Sequence, residues 1–502
     1  MYAANALHLL SASEVIVLLT NNNITVEEYA SALLARIKEH DDIVKAWTHL
    51  NPEAVLAQAK ALDKIPDDKR GPLHGIPVGI KDVISTKDMP TEFGSPLYKN
   101  HQPGFDSSIV AILRAAGALI MGKTTTTQFS VTNSGPETTN PHDPNRTPGG
   151  SSCGSAAAVA DYQVPLTLGA QTGGSLIRPA SFTGVFAMKP THNAVSTEGL
   201  KTVSPTFDTI GFMARSIEDL QLVANVLGIC DDEAPKETPS LASISVALVR
   251  SPMWHRAGPG TVAAIDKAIS ILVETGVRVE EVFFPDEFGN EEAVRRKQKV
   301  IMEGEAKVTF LKEYRMDKTQ LAAQICSLVE NPSGLTQREQ VQALDAFADM
   351  RAIADRIAAS YSVILTPSAV DEAPLGLDDM GSAAFNTLWT GLHMPLVTVP
   401  AFVGANGMPI GVSLVAGRFG DQHLLSVATV LSEPLMAHGG WGEKTNATPL
   451  RTAMEDPLES SNPGTLPVLN KLKILNFKRI GAKLRLRTHE IKKKIICLAK
   501  GV

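Results

Sequence analysis

Two glycine–glycine–serine turns occupy one short span, GGSSCGSAAAVADYQVPLTLGAQTGGSLIRP (149–179), with Ser151 in the first and Ser175 in the second. Glycine reaches positive φ without steric cost, so the backbone N–H groups of such a turn can converge on one point. A serine held there can act as a nucleophile once a base takes its proton. The span contains no histidine, and the nearest ones, His142 and His192, lie outside it. A lysine can supply the base if burial brings its pKa from ~10.4 to near 7, a change of about 4–5 kcal/mol that requires a well-desolvated site. Lys81, between Ile80 and Val83 at the end of an apolar run, suits that role by composition, with Asp82 on the opposite face. Lys123 is the competing lysine, and residue types alone do not choose between the two.

Other chemistries compete for the same residues. GALIMGKT (117–124) fits the pattern of a phosphate-binding loop, which on its own would make the protein a nucleotide binder. The context opposes this: a helix precedes Gly117, the interior is Ala-Leu-Ile-Met, and the β-branched run after Lys123 starts helices poorly. Gly117 is expected to end a helix and Lys123 to sit at a strand end. PGGSSCGSAAAVA also has the form of a glycine-serine loop feeding a helix, which would present backbone donors to any developing negative charge. Cys153, at the start of that helix with no histidine nearby, reads as a packing residue. The twelve histidines are scattered and H-E-x-x-H is absent, so neither a metal nor a cofactor is called for.

The elements that would hold these groups alternate along the chain. Thr25 to Glu28 is a capping box, followed at helical spacing by Tyr29, Leu33, Leu34 and Ile37. GPLHGIPVGIKDVIST reads as a strand with Ile76, Val78 and Ile80 on one face and Gly79, Lys81 and Val83 on the other. Asp106 is expected to cap a helix with Ile109, Ile112, Leu113 and Ala116 on its buried stripe, and ALIMG to follow as a buried strand. Further on come a helix capped by Ser216, strands at 244–248 and 277–282 around a helix at 262–275, and a charged helical layer over 290–360. Strand-like SVILTP, PLVTVPAF and GVSLVAG precede a last helix from about Asp421. This order predicts an α/β fold with a largely parallel or mixed sheet covered by helices.

Composition narrows the classes further. The chain has 502 residues, 44% apolar and 20% charged, and its net charge of −6 excludes a nucleic-acid binder by bulk composition. Four dispersed cysteines without a C-x-x-C pair suit a reducing compartment, and no apolar run is long enough for a transmembrane span, so a cytoplasmic protein is expected. From about residue 440 the character changes. EDPLESSNPGTLP has linker composition, and from Lys471 onward basic and apolar residues mix at helical spacing. The chain therefore divides into a domain over 1–440 and a linker with a basic amphipathic tail over 441–502, capable of peripheral contact with an anionic membrane surface.

GIPVGIKD, TPGGSSCGSAAAVA, TGGS with RPA after it, and GVFAMKPT, in this order and spacing, together resemble the amidase signature family. The resemblance runs from the N-terminal helices to about residue 435, takes in MPIGVSLVAGRFGDQHLL, and is nearest to fungal-type amidases of unassigned substrate. It implies a single α/β domain with a mixed central sheet surrounded by helices, and a metal-free Ser–cis-Ser–Lys triad. Carried onto this chain, Ser175 is the nucleophile, Ser151 the bridging serine after a cis Gly150–Ser151 bond, and Lys81 the base. The backbone N–H groups of Thr172, Gly173, Gly174 and Ser175 form the oxyanion hole, and Ser152 supports the network. The implied activity is hydrolysis of a small or medium carboxamide through an acyl-enzyme, with a homodimer as a further expectation. The alternative within the family is a component of an ammonia-transferring amidotransferase. One departure concerns the usual acid and arginine around T-G-G-S: Gln171 stands at the acid's position and Ile177 at the arginine's, with Arg178 one place later.

Overall fold

The computed structural model describes residues 4–232 and 238–442. Local signals in the sequence set most of the helix boundaries. Thr25 and Glu28 close a reciprocal capping box on the helix Val26–Val44, whose buried stripe includes Val26, Tyr29, Leu33 and Ile37. Ser216 caps Ile217–Val226, accepting from Asp219 N, and Gly228 follows at positive φ. The charged segment forms the helices Glu291–Thr309, Leu311–Asp317, Ala323–Glu330 and Gln337–Ala359. The expected cap at Asp106 is corrected to Ser107, whose Oγ accepts from Val110 N at the head of Ser108–Ala115. Asp106 is drawn away instead, accepting from Lys87 N and pairing with Arg114. Ile112, expected on the buried stripe, is 39% exposed because the helix begins one residue later than its spacing suggests.

The strands are β1 (Trp47–Leu50), β2 (Pro77–Lys81), β3 (Leu119–Thr124), β4 (Leu166–Gln171), β5 (Phe186–Lys189), β6 (Thr209–Ala214), β7 (Ser245–Val249), β8 (Arg278–Val282), β9 (Val363–Pro367), β10 (Leu396–Val403) and β11 (Pro409–Val415). They form one sheet in the order β1-β3-β2-β4-β6-β5-β10-β11-β9-β7-β8. Parallel pairs join β2 to β3 and β4, and β7 to β8 and β9; the remaining pairs are antiparallel. The sheet is therefore mixed and helices cover it, as the alternating pattern predicts. β2, β3 and β4 are buried on both faces, which is why their sequences read as nearly continuous apolar runs.

The short helix Cys153–Ala160 packs against this central part with every residue buried. Its run of alanines allows that approach, and Gly154 makes it possible: a Cβ there would stand 2.2 Å from Ala46 O and 2.4 Å from Thr125 N. GALIMGKT is not a loop. Gly117 is a positive-φ residue after the preceding helix, and Leu119–Thr124 is β3. Among the described residues no helix is long and apolar enough to cross a membrane. The basic tail expected over 441–502 lies, apart from residues 441 and 442, outside the described residues.

Candidate active site

β2 and β4 run side by side in register from Val78–Leu166 to Ile80–Leu168, and the ladder stops there. The backbone of Ala170 is thus left to side chains. Lys81, the last residue of β2, has its Nζ 3.4 Å from Ala170 O, and Ser152 Oγ accepts from Ala170 N at 3.3 Å. Lys81 Nζ also lies 2.7 Å from Ser151 Oγ. Lys81, Ser151 and Ser152 are all fully enclosed. Ser175 is partly exposed, and its carbonyl accepts from Ser152 N at 3.2 Å, which ties the two serine turns together. Among the described residues no side-chain hydrogen bond joins Ser151 to Ser175. The Gly150–Ser151 peptide bond is cis.

The two lysines that composition could not separate are in different electrostatic settings. Lys81 has no carboxylate within ion-pairing distance among the described residues, and burial pulls its amine down to about 7, with weaker opposing influences from Cys153 and Asp208. Lys123 is equally enclosed, but its Nζ donates to Ile84 O (2.8 Å) and Thr91 Oγ1 (2.6 Å) and pairs with Asp82 at 3.5 Å. Burial lowers the Lys123 amine to about 8 and raises the Asp82 carboxyl to about 6, so at neutral pH both are charged and committed to each other. Lys123→Met is therefore expected to cost about 3–5 kcal/mol in urea unfolding, because it strands a buried carboxylate. Turnover per folded molecule should survive. Cys153 is packed as expected: it is buried, burial pushes its thiol up, and its Sγ faces Thr125 O and Ser151 O at 3.5 Å.

Gln171 and Arg178, the departures around T-G-G-S, brace one serine turn each. Gln171 Oε1 accepts from Leu176 N and Ile177 N, both at 3.0 Å, and its Nε2 donates to Thr390 Oγ1 at 3.0 Å. Arg178 donates to Gly381 O at 2.7 Å and to Gly150 O at 2.5 Å, so it holds the turn of Ser151 rather than that of Ser175. Burial lowers its guanidinium only to about 10, and it stays cationic. The N–H groups of Gly173, Gly174 and Ser175 have no acceptor among the described residues. Thr172 is anchored through its hydroxyl to Asp208 Oδ1 at 2.5 Å, and Asp208 Oδ2 accepts from Val203 N and Ser204 N. Thr390, Asp208 and the neighbouring Asn386 carry no signal in the sequence near the serine turns. Only the buried-strand pattern after Asp208 could have drawn attention to one of them.

A partly exposed serine, an enclosed serine and an enclosed amine meet beneath a loop of unpaired N–H groups, as amide cleavage requires. Residues 28–425 match the family described as Amidase, and the chain belongs to that family. Among curated relatives it is 39% identical over 300 residues to the amidase-like component of the glutamyl-tRNA(Gln) amidotransferase of Chloroflexus aggregans, over 56% of this chain and 61% of that protein. The chain thus spans less than two thirds of the length of such relatives. Among solved structures, one titled as the crystal structure of an amidase superposes with a TM-score of 0.75 at 27% identity, covering 84% of this chain and 99% of the other. Another, from a vestigial complex linked to the evolutionary origins of an s-triazine catabolic enzyme, gives 0.74 at 26% identity, over 84% and 98%.

Proposed function

We propose that the chain hydrolyses carboxamides through an acyl-enzyme on Ser175, with Ser151 and Lys81 as its proton relay. The observation that carries this reading is the enclosed Lys81 amine, 2.7 Å from Ser151 Oγ with no carboxylate to hold its charge. A neutral amine has two N–H groups and one lone pair. With one N–H directed at Ala170 O, the lone pair is free to take the Ser151 proton. Ser151 in turn draws the proton of Ser175, whose Oγ attacks the amide carbon. The two serine side chains come into contact when substrate orients Ser175, since catalytic hydrogen bonds often close only in the complex. The N–H groups of the T-G-G-S loop stabilise the tetrahedral oxyanion, the relay returns a proton to the leaving amine, and water then frees the carboxylate.

In this reading the substrate is a small or medium carboxamide, and the enzyme works in the cytoplasm as a monomer or homodimer. A second reading is favoured by the amidotransferase components among the relatives: the same acyl chemistry releasing ammonia for transfer to an acceptor. The purified chain, given a panel of aliphatic, aryl and amino-acid amides, is expected to release amine or ammonia unaided. Release that begins only when a partner and an acyl acceptor are added would favour the transfer reading instead.

A further inference from the structure

We infer that Gln171 and Thr390 form a one-way hydrogen-bond chain that aims the Gly174 N–H at the position where the oxyanion develops, which makes Thr390 a positioning residue. This rests on the proposed role of Ser175.

The direction of the chain follows from the bonds at its two ends. Two backbone N–H groups, from Leu176 and Ile177, converge on one end of the Gln171 side chain at 3.0 Å. Only the amide oxygen can accept both, so the end facing Thr390 is the NH₂ group. Thr390 Oγ1 receives that N–H at 3.0 Å and has a single proton of its own to give. Its two acceptors are Gly173 O at 2.8 Å and Asn386 O, one helical turn back, at 3.0 Å. Thr390 is the donor that the Gly173 carbonyl has among the described residues. Gln171 thus turns the hydroxyl proton away from itself and toward the loop.

The consequence for the loop is geometric. In a trans peptide the C=O and the following N–H point in opposite directions. Fixing the Gly173 carbonyl against the helix Ala384–Gly391 therefore turns the Gly174 N–H away from that helix. The next carbonyl, Gly174 O, accepts from Arg178 N at 3.1 Å, which sets the Ser175 N–H in the same manner. The helix also presses closely on the loop. A Cβ on Gly174 would meet Asn386 Oδ1 at 2.6 Å and Ala383 Cβ at 2.9 Å, so only glycine permits this approach. A carboxylate at position 171 would reverse the chain, because it can only accept from Thr390 and would compete with Gly173 O for the one proton.

The test compares Thr390→Ser, Thr390→Val and Gln171→Glu by kcat, KM and the rate of fluorophosphonate labelling of Ser175. Thr390→Ser keeps the donor and should stay within about threefold of wild type. Thr390→Val keeps the volume but not the donor; kcat and the labelling rate should fall together by about 10–100-fold, with KM moving less than about threefold, below the 10²–10³ for outright loss of an oxyanion donor. Gln171→Glu should lose a similar factor. The double variant Gln171→Glu/Thr390→Val should lose no more than the worse single variant, because both act through one peptide plane. Independent structural roles would multiply the losses, and would not be rescued by serine. A folded Thr390→Val protein with wild-type kcat, beside a dead Ser175→Ala protein, overturns the inference alone. A wild type that neither turns over amides nor labels overturns the underlying reading, and this inference with it.

Discussion

Ser175→Ala is expected to abolish fluorophosphonate labelling and to lower amide turnover by about 10⁴–10⁶, the range found when a serine nucleophile is removed. The assignment of Ser175 rather than Ser151 follows from access. Ser151 is fully enclosed between Lys81 and the buried helix Cys153–Ala160, so a substrate carbonyl has no approach to its Oγ. Ser175 is partly exposed and sits in the loop that carries the unpaired N–H groups, where an attacked carbonyl oxygen would find its donors. Ser151→Ala should therefore behave differently. It breaks the proton route but leaves the nucleophile in place, so labelling slows by orders of magnitude while the label still appears on Ser175. Active-site titration of both variants, with mass spectrometry of the labelled peptide, separates the roles. A Ser175→Ala protein that labels at the wild-type rate would end the assignment.

Legibility in the sequence followed the range of the interactions involved. Capping boxes and positive-φ glycines act over a few residues, so the helix starts at Val26 and Ile217 and the turn after Val226 could be read directly. Asp106 and Ser107 are both good caps, and a contact with Lys87 and Arg114 decided between them, which no local pattern encodes. β4, Leu-Thr-Leu-Gly-Ala-Gln, gives no alternation because both of its faces are buried, so the strand that positions Ala170 and Gln171 was not legible as a strand. The same limit applies at the site. The motifs around Lys81, Ser151 and Ser175 are contiguous and could be read. The bracing of their turns is not, since Gln171 reaches Thr390 and Arg178 reaches Gly381 across some two hundred residues of chain. The apparent loss of the acid–arginine pair is thereby explained. An amide oxygen can accept two loop N–H groups as a carboxylate would, without a buried charge to neutralise. The arginine displaced by one place serves the other turn.

The second large effect concerns Lys81. Its amine must be neutral to accept a proton, and burial holds it near 7, a shift of about 5 kcal/mol against the charged form. The sign is fixed: below this value the amine is protonated and the relay is blocked; above it the base is available. kcat/KM should therefore fall about tenfold per pH unit below pH 7 and level off above it. Lys81→Arg, cationic at every accessible pH, should be inactive across the whole range, and Lys81→Ala should lose several orders of magnitude and the limb itself. Two other buried groups titrate in the same region and must be told apart. Lys189, also held near 7 by burial, donates to Pro190 O, so Lys189→Met is expected to alter stability and leave the limb where it is. Asp208, raised to about 6 by burial, acts on Lys81 through its charge, which favours the protonated amine. Asp208→Asn keeps an acceptor for the Thr172 hydroxyl but removes that charge, and the acid limb should move to lower pH. A limb that shifts upward in Asp208→Asn, or that persists unchanged in Lys81→Ala, would mean that the essential base is some other group.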